Sequence, residues 1–211
     1  MDDLAAAQTL YDTVADSYAR LLPDATFEAE EELAMITRFA GLLPSEPRVL
    51  DAGCGTGRMQ PVLRSLMPRM HAAGVDLSDR MLEHARRGHP EAEFRPGRLA
   101  ELPFEPGCFD AVFAWYSIIH TAPADLAPVF AEMRRVITTR GLVLLGFQHG
   151  SGERHRSTAY GHRVALHAHL HSAAGTAETL EATGFSVIEA LARPARAGEA
   201  EDQGFVLARA S

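Results

Sequence analysis

The sequence predicts an α/β fold, a doubly wound and mostly parallel sheet with helices on both faces. Short apolar runs alternate with stretches of helical periodicity along most of the 211 residues, as expected when helices join parallel strands. Two of these runs end in an aspartate, at Asp51 and Asp76, and a glycine-rich turn follows the first. Open parallel sheets bind ligands beyond the carboxyl ends of their strands, so a site is expected at this edge.

The N-terminal 44 residues are predicted to form two helices. Tyr11, Val14 and Tyr18 recur at helical spacing within a first helix from about Leu4 to Leu22. A second helix is expected from roughly Phe27 to Leu43, where a proline follows. Both helices precede the first strand and lie outside the alternating pattern.

The first half of the sheet begins with a predicted strand at Arg48–Asp51. The helix after the glycine turn carries an apolar stripe from Met59 to Met67, which is typical of a helix packed on a sheet. The second strand ends at the second aspartate, and a helix over 78–88 begins at a serine that suits an N-cap. A short third strand is expected near 93–95.

The second half continues with strand four at Phe109–Ala114 and strand five at Leu142–Phe147. The fifth is almost fully apolar, as in a strand that is covered on both faces. Residues 148–171 show no clear period and are predicted to form an irregular insertion on the substrate side. The remaining predicted elements are a helix opened by Pro123, a helix near 176–183, and strands from Phe185 and over 205–208. No linker interrupts the pattern, so 1–211 is predicted to be a single domain.

The glycine-rich turn reads Asp51-Ala52-Gly53-Cys54-Gly55-Thr56-Gly57. Glycines let backbone amides approach a ligand closely, and the carboxylate of Asp76 can grip both ribose hydroxyls of a nucleoside. A dinucleotide-binding G-x-G-x-x-G signature needs glycine at position 58 or 60, and those positions hold Arg58 and Gln60. The spacing therefore favours a nucleoside that carries no pyrophosphate.

The D-x-G-x-G-x-G pattern resembles motif I of the class I S-adenosylmethionine-dependent methyltransferases, and Asp76 matches the acidic ribose residue of that family. The resemblance covers residues 28–211. It implies a Rossmann-like sheet of seven strands in the order 3-2-1-4-5-7-6 with an antiparallel last strand. The segment from Tyr11 to Tyr18 resembles the family's lid, so residues 1–44 are expected to act as a helical lid. S-adenosyl-L-methionine is the implied cofactor, and S-adenosyl-L-homocysteine is the product.

The cofactor-binding residues follow from the same resemblance. The first aspartate and the glycine turn are expected to face the methionine half, while Leu77 and Leu99 can form apolar walls for the adenine. Leu99 is equally typical of ordinary core. Tyr11 can close over the sulfonium, whose charge favours an aromatic face, or simply pack on the core. The implied set is Tyr11, Asp51, Gly53, Cys54, Gly55, Gly57, Asp76, Leu77, Met81, Leu99, Ala114 and Trp115.

One position departs from the family pattern. Many relatives carry an acid where this chain has Arg98, and arginine cannot accept a hydrogen bond from the adenine amine. The amine is left to a backbone carbonyl, to Glu101 or to water. This departure removes Arg98 as an adenine reader without removing the cofactor.

The stretch Trp115-Tyr116-Ser117-Ile118-Ile119-His120 after strand four lies, by resemblance, beside the transferred methyl group. His120 and Tyr116 are the candidate catalytic residues. His120 is a candidate general base, since its unperturbed pKa is near 6.5, or a histidine that supports the turn. The candidate acceptor contacts are Tyr18, Trp115, Tyr116, Ile119, Tyr160 and His162.

These observations predict an S-adenosylmethionine-dependent methyltransferase that acts on a small organic acceptor by in-line displacement. Two alternatives remain. The first is a non-catalytic accessory protein that binds S-adenosylmethionine, and the second is an NAD-linked oxidoreductase on a similar sheet. The sequence lacks the glycine spacing of a dinucleotide-binding turn and a Tyr-x-x-x-Lys pair, and both absences disfavour the oxidoreductase.

Composition excludes several other classes. All 20 basic residues are arginine, which rules out the lysine-dependent chemistry of pyridoxal enzymes, P-loop nucleotidases and protein kinases. The net charge of −8 and the absence of a basic stripe disfavour nucleic acid as a partner.

No apolar run approaches the roughly 20 residues that span a bilayer, so no membrane association is expected. Two cysteines and an acidic start suggest a cytoplasmic protein, and the arginine and alanine bias suggests a bacterial one. The oligomeric state stays open.

Histidines cluster late in the chain. His167, His169 and His171 alternate, so in a strand they would share one face and could hold zinc. No cysteine or carboxylate pattern accompanies them, and the sequence therefore predicts no metal site. A polar rim of the substrate site is the expected role of this segment.

Overall fold

The computed structural model describes residues 3–211. Its helices are α1 (Asp3–Leu21), α2 (Glu30–Gly41), α3 (Gln60–Leu66), α4 (Asp79–Gly88), α5 (Leu126–Val136) and α6 (Ala173–Ala182), with 3₁₀ turns at Ile118–His120 and Pro123–Asp125. Its strands are β1 (Arg48–Ala52), β2 (His71–Asp76), β3 (Glu93–Pro96), β4 (Phe109–Trp115), β5 (Ile137–His149), β6 (Glu153–Arg156), β7 (Leu166–His169), β8 (Phe185–Arg193) and β9 (Asp202–Ala210).

Seven strands form one sheet in the order β3-β2-β1-β4-β5-β9-β8. Strands β1 to β5 pair in parallel, whereas β9 runs antiparallel to both β5 and β8. The order matches the predicted 3-2-1-4-5-7-6 once the separate hairpin β6-β7 is left out of the count. The predicted fold class is thereby confirmed.

Side chains alternate between two apolar layers on the faces of this sheet. Val112 and Phe113, neighbours in β4, are fully buried in opposite clusters, as the period of two in a strand requires. Phe130 of α5 packs in the first cluster and Phe39 of α2 in the second. Because both faces are covered, the carboxyl ends of the central strands remain as the place for a ligand.

The structure differs from the prediction between 148 and 171. Residues 153–156 and 166–169 form an antiparallel two-stranded hairpin, where the sequence predicts an irregular insertion. Strand β6 reads Glu-Arg-His-Arg and is mostly exposed, so it lacks the apolar alternation that marks a half-buried strand. Only Leu166 and Ala168 of the hairpin are buried among apolar neighbours.

Helix α6 begins at Ala173, three residues earlier than predicted. The hydroxyl of Ser172 accepts a hydrogen bond from the amide of Gly175 at 3.0 Å and so caps the helix. Within residues 3–211, no helix combines the length and apolar character that crossing a membrane requires.

Candidate functional site

A cavity of about 570 Å³ opens at the carboxyl ends of β1, β2 and β4. Gly53, Asp76 and Trp115 come from those three strand ends, while Tyr11 and Tyr18 of α1 form part of its wall. Its size lies within the range of about 300–1,000 Å³ that is usual for small-molecule sites. The carboxyl-terminal edge of the sheet and helix α1 therefore enclose one cavity.

The glycine turn after β1 adopts a backbone that requires glycine. Gly53, Gly55 and Gly57 have φ values of +81°, +53° and +76°, in the left-handed region that other residues rarely adopt. A Cβ atom on Gly53 would lie 2.2 Å from the Cβ of Ser117. The amides of Gly53 and Cys54 donate to the carbonyl oxygen of Val75 at 2.8 and 3.0 Å, which fixes the turn against β2.

The carboxylate of Asp76 is held at the end of β2 by two backbone amides. Its Oδ2 accepts from Gly55 N at 2.8 Å, and its Oδ1 accepts from Ser78 N at 2.9 Å. Burial raises the pKa of Asp76 despite these bonds. Each carboxylate oxygen can accept more than one hydrogen bond, so both oxygens keep acceptor capacity for hydroxyl groups in the cavity.

Asp51 lies beneath the glycine turn and not at the cavity wall. It is 2% exposed, and its Oδ2 accepts from Gln60 Nε2 at 3.2 Å. Burial is the main cause that raises its pKa to about 7, and the charge of Asp76 adds to it. In the folded chain this carboxyl therefore holds its proton up to near-neutral pH.

The raised pKa of Asp51 predicts a pH-dependent effect of Asp51→Asn on stability. Between about pH 4, the ordinary pKa of an aspartate, and about pH 7, the folded chain holds a proton that the unfolded chain has released. Stability of the ligand-free protein therefore falls as the pH rises through this window. Asparagine removes that loss, so the free energy of unfolding of the variant should exceed that of wild type by about 4 kcal/mol at pH 8 and by only about 1–2 kcal/mol at pH 5.

Denaturant unfolding of ligand-free protein at pH 5, 6, 7 and 8 measures this difference. Asp79→Asn, a change at an exposed aspartate in the first turn of α4, is the matched control and should show no such trend. A difference between Asp51→Asn and wild type that stays constant with pH would contradict the assignment.

Two successive hydrogen bonds hold helix α1 over the cavity. The hydroxyl of Tyr11 lies 2.9 Å from Nε2 of His120, and Nδ1 of His120 lies 3.0 Å from the carbonyl oxygen of His167. Because a carbonyl oxygen only accepts, Nδ1 carries the proton and Nε2 accepts from the tyrosine. Burial is the main cause that lowers the pKa of His120 to about 4, so the imidazole is neutral at physiological pH.

Tyr18 and Tyr160 pack edge to face at the same wall, with ring centroids 4.9 Å apart. The candidate acceptor residue His162 does not line the cavity. Its Nε2 lies 2.9 Å from the hydroxyl of Ser17, so its ring joins the insertion to α1.

Tyr116 follows β4 with a φ of +57°, which is strained for a residue with a bulky side chain. Its hydroxyl donates to Oε1 of Glu32 at 2.9 Å, and the same oxygen accepts from Arg193 at 2.8 Å. Arg193 also pairs with Glu199, whose pKa this bond lowers to about 2. Tyr116 is therefore oriented by a buried charge network.

Sequence reasoning missed this network. The cavity is also lined by Glu28, Glu32, Arg58 and Glu199, and Arg58 pairs with Glu28. Glu32 and Arg193 are 161 positions apart, and no local pattern marks either of them. Arg58 follows the glycine turn directly, which is the one signal that could have identified it.

The predicted site residues divide by their place in the structure. Those at the cavity wall are Tyr11, Tyr18, Gly53, Gly55, Asp76, Leu77, Met81, Leu99, Trp115, Tyr116, Ile119, His120 and Tyr160. Those outside the described lining are Asp51, Cys54, Gly57, Ala114 and His162. The first four of these support the turn or the strand ends from behind: Gly57, for example, leaves room for the ring of His89.

Comparison with known proteins finds methyltransferases. A family profile described as a methyltransferase domain matches residues 49–141. The malonyl-[acyl-carrier protein] O-methyltransferase of Legionella pneumophila is 34% identical over 133 residues, which are 62% of this chain and 45% of that protein. The demethylmenaquinone methyltransferase of Thermotoga maritima is 28% identical over 139 residues, 66% of this chain and 60% of that protein. The chain thus spans about half the length of these relatives.

Among solved structures, magnesium protoporphyrin IX methyltransferase from Synechocystis, crystallised with bound S-adenosylmethionine, superposes with a TM-score of 0.72. The match covers 100% of this chain and 98% of that one at 18% sequence identity. At this identity the likeness concerns the fold alone.

Proposed function

We propose that this chain transfers the methyl group of S-adenosyl-L-methionine to a small organic acceptor. The chain belongs to the class I S-adenosylmethionine-dependent methyltransferases, and S-adenosyl-L-methionine is its cofactor. The observation that carries the proposal is the joint placement of the glycine turn and Asp76 at one cavity wall. The catalytic activity and the identity of the acceptor are proposals, because the chain spans only about half the length of the relatives that it matches.

The residues present fit this cofactor. Gly53 and Gly55 line the cavity, and a Cβ atom on Gly55 would meet nothing within 4 Å, so an amino-acid tail can lie against the main chain of the turn there. The hydroxyl oxygen of Ser117, beside Gly53, is buried and has no hydrogen-bond partner among the described residues. Asp76 supplies acceptors for ribose hydroxyls, and Leu77 and Leu99 offer apolar walls for a base.

The cofactor supplies an activated methyl group, and the work left to the protein is alignment and exclusion of water. Good alignment of two reactants can supply about 7–11 kcal/mol of a barrier. We assign this role to Tyr11 above the cavity and to Trp115 and Tyr116 beside it. The strained backbone of Tyr116, fixed through Glu32, suits a residue that positions an acceptor.

His120 stays a candidate catalytic residue, but its contacts favour a positioning role. Its Nε2, the atom that would accept a proton, is occupied by the hydroxyl of Tyr11. We therefore propose that His120 holds Tyr11 over the cofactor.

A double-mutant cycle tests the positioning role. Tyr11→Phe and His120→Ala each remove the same hydrogen bond, so each should weaken S-adenosylhomocysteine binding by several-fold, about 1 kcal/mol. The double variant should bind no more weakly than the worse single variant, because the effects of coupled residues do not add. Calorimetry measures all four affinities. A loss of turnover of about 10²–10⁴-fold in His120→Ala with unchanged affinity would instead identify a general base.

The acceptor end of the cavity combines aromatic and polar groups. Tyr18, Tyr116 and Tyr160 supply aromatic surface, and Gln148 and Gln203 each have a buried amide oxygen without a partner among the described residues. These features support an aromatic or apolar acceptor with a polar group near its reactive atom. The named relatives act on different acceptors, malonyl-[acyl-carrier protein] and demethylmenaquinone, and both compounds belong in the first panel of substrates.

Methyl transfer is tested directly by mass spectrometry. The protein is incubated with S-adenosylmethionine carrying a labelled methyl group and with a metabolite pool that includes those two acceptors. A gain of one labelled methyl by a compound in the pool supports the proposal. Tight binding of the cofactor with no transfer to any compound would favour the non-catalytic accessory protein. A shift in thermal midpoint with NAD and none with S-adenosylhomocysteine would favour the oxidoreductase.

A further inference from the structure

The hairpin β6-β7 gathers metal-binding side chains on one face. Its register pairs Glu153 with His169 and His155 with His167. Residues two apart in a strand point to the same side, so all four of these side chains share a face. The opposite face carries Leu166 and Ala168, which are buried among apolar neighbours.

Three of these side chains lie at the spacing of metal ligands. One donor atom each from Glu153, His167 and His169 falls within 4.8 Å of the other two. A Glu153 oxygen lies 3.0 Å from Nε2 of His167, and the other lies 3.7 Å from Nδ1 of His169. Tetrahedral zinc with bonds of about 2.0–2.1 Å separates its donors by roughly 3.3 Å, so the observed distances bracket the required one.

His169 gives independent support for a bound ion. Its side chain is 6% exposed, yet neither ring nitrogen makes a hydrogen bond to the described residues. Nδ1 is too far from the Glu153 carboxylate at 3.7 Å, and Nε2 is buried with no partner. An ion placed between Glu153 and His169 would give Nδ1, the ring nitrogen that faces the carboxylate, the partner that it lacks.

We propose that Glu153, His167 and His169 bind one divalent transition-metal ion of the zinc type. Two imidazoles and one carboxylate are a known ligand set for Zn²⁺. The fourth position is open to water or to His155, whose ring stacks on His167 at 4.3 Å and whose Nε2 lies 3.3 Å from the Glu153 carboxylate. The sequence predicted no metal because the carboxylate comes from the partner strand and not from the histidine run. His171, the third alternating histidine, lies instead against Phe147.

The bound ion would stabilise the cavity wall by linking the two strands of the hairpin. An isolated two-stranded hairpin is marginally stable in water, and the proposed ligands join both strands. This hairpin also supplies Arg154 and Leu166 to the cavity, and the His167 carbonyl accepts from His120. The site therefore stabilises the part of the wall that supports the lid. It does not depend on the identity of the cofactor.

Zinc titration of the full chain tests the proposal. The protein, free of any polyhistidine tag, is stripped with a chelator and titrated with zinc chloride by calorimetry. One equivalent should bind, and Glu153→Gln and His167→Ala should each weaken the affinity at least tenfold. His84→Ala, which removes a histidine paired with Asp16 on another face, should bind as wild type does.

Two further readouts keep the test decisive. Cobalt(II) added to stripped wild type should give the intense visible absorption of a four-coordinate site, and Glu153→Gln should reduce it. Glu153 is half-exposed, so this variant should fold even if changes at His169 do not. The proposal is overturned if stoichiometric zinc binding is absent, or if both ligand variants bind zinc as tightly as His84→Ala does.

Discussion

Asp76→Ala is expected to weaken S-adenosylhomocysteine binding at least tenfold. The variant removes a carboxylate proposed to accept from the ribose hydroxyls, and each such charge-assisted hydrogen bond contributes roughly 1.5–3 kcal/mol. Since about 1.4 kcal/mol corresponds to a factor of ten in affinity, the loss of even one bond is measurable. The amides of Gly55 and Ser78 also lose their acceptor, which should lower stability by about 1–3 kcal/mol.

Calorimetry on folded variants separates the two effects. Circular dichroism first establishes that Asp76→Ala is folded at the temperature of the titration. Asp79→Ala is the matched control, because Asp79 is exposed at the start of α4, three positions along the chain. An affinity of Asp76→Ala equal to that of the control would refute the ribose assignment.

Gly53→Ala is expected to damage both stability and cofactor binding. The new Cβ would lie 2.2 Å from the Cβ of Ser117, and the residue would keep a φ of +81°. The left-handed backbone costs about 1–2 kcal/mol, and overpacking adds about 1–3 kcal/mol. For a chain of this length the thermal midpoint should fall by roughly 5–15 °C.

Gly41→Ala is the matched control for this change. A Cβ at Gly41 meets nothing within 4 Å and its φ is ordinary, so its thermal midpoint should stay the same or rise. Gly53→Ala combined with Ser117→Gly should recover part of the loss, because the contact is relieved while the backbone strain remains. A midpoint of Gly53→Ala within about 2 °C of wild type, less than the shift for one kcal/mol, would contradict the described turn.

Local patterns were enough to predict the sheet and the turn at its edge. The runs that end at Asp51 and Asp76 predict parallel strands that end side by side, and the structure pairs β1 with β2 in that way. The antiparallel seventh strand came from the family resemblance and not from the residues. It is confirmed by the pairing of β9 with β5 and β8.

Features built from distant segments could not be predicted. The pair Glu32–Arg193 and the approach of Glu153 to His169 depend on tertiary placement and on hairpin register, which one sequence does not encode locally. Strand β6 is polar and exposed, so hydrophobic periodicity gives no signal there. The place of His162, whose ring contacts Ser17 and does not line the cavity, likewise depends on tertiary packing that no local pattern marks.

A crystal structure with S-adenosylhomocysteine tests the central claim most directly. We predict that the ribose hydroxyls lie within hydrogen-bonding distance of the Asp76 carboxylate and that the amino-acid tail lies along the main chain at Gly53 and Gly55. Density for the compound elsewhere, with the glycine turn vacant, would contradict this account.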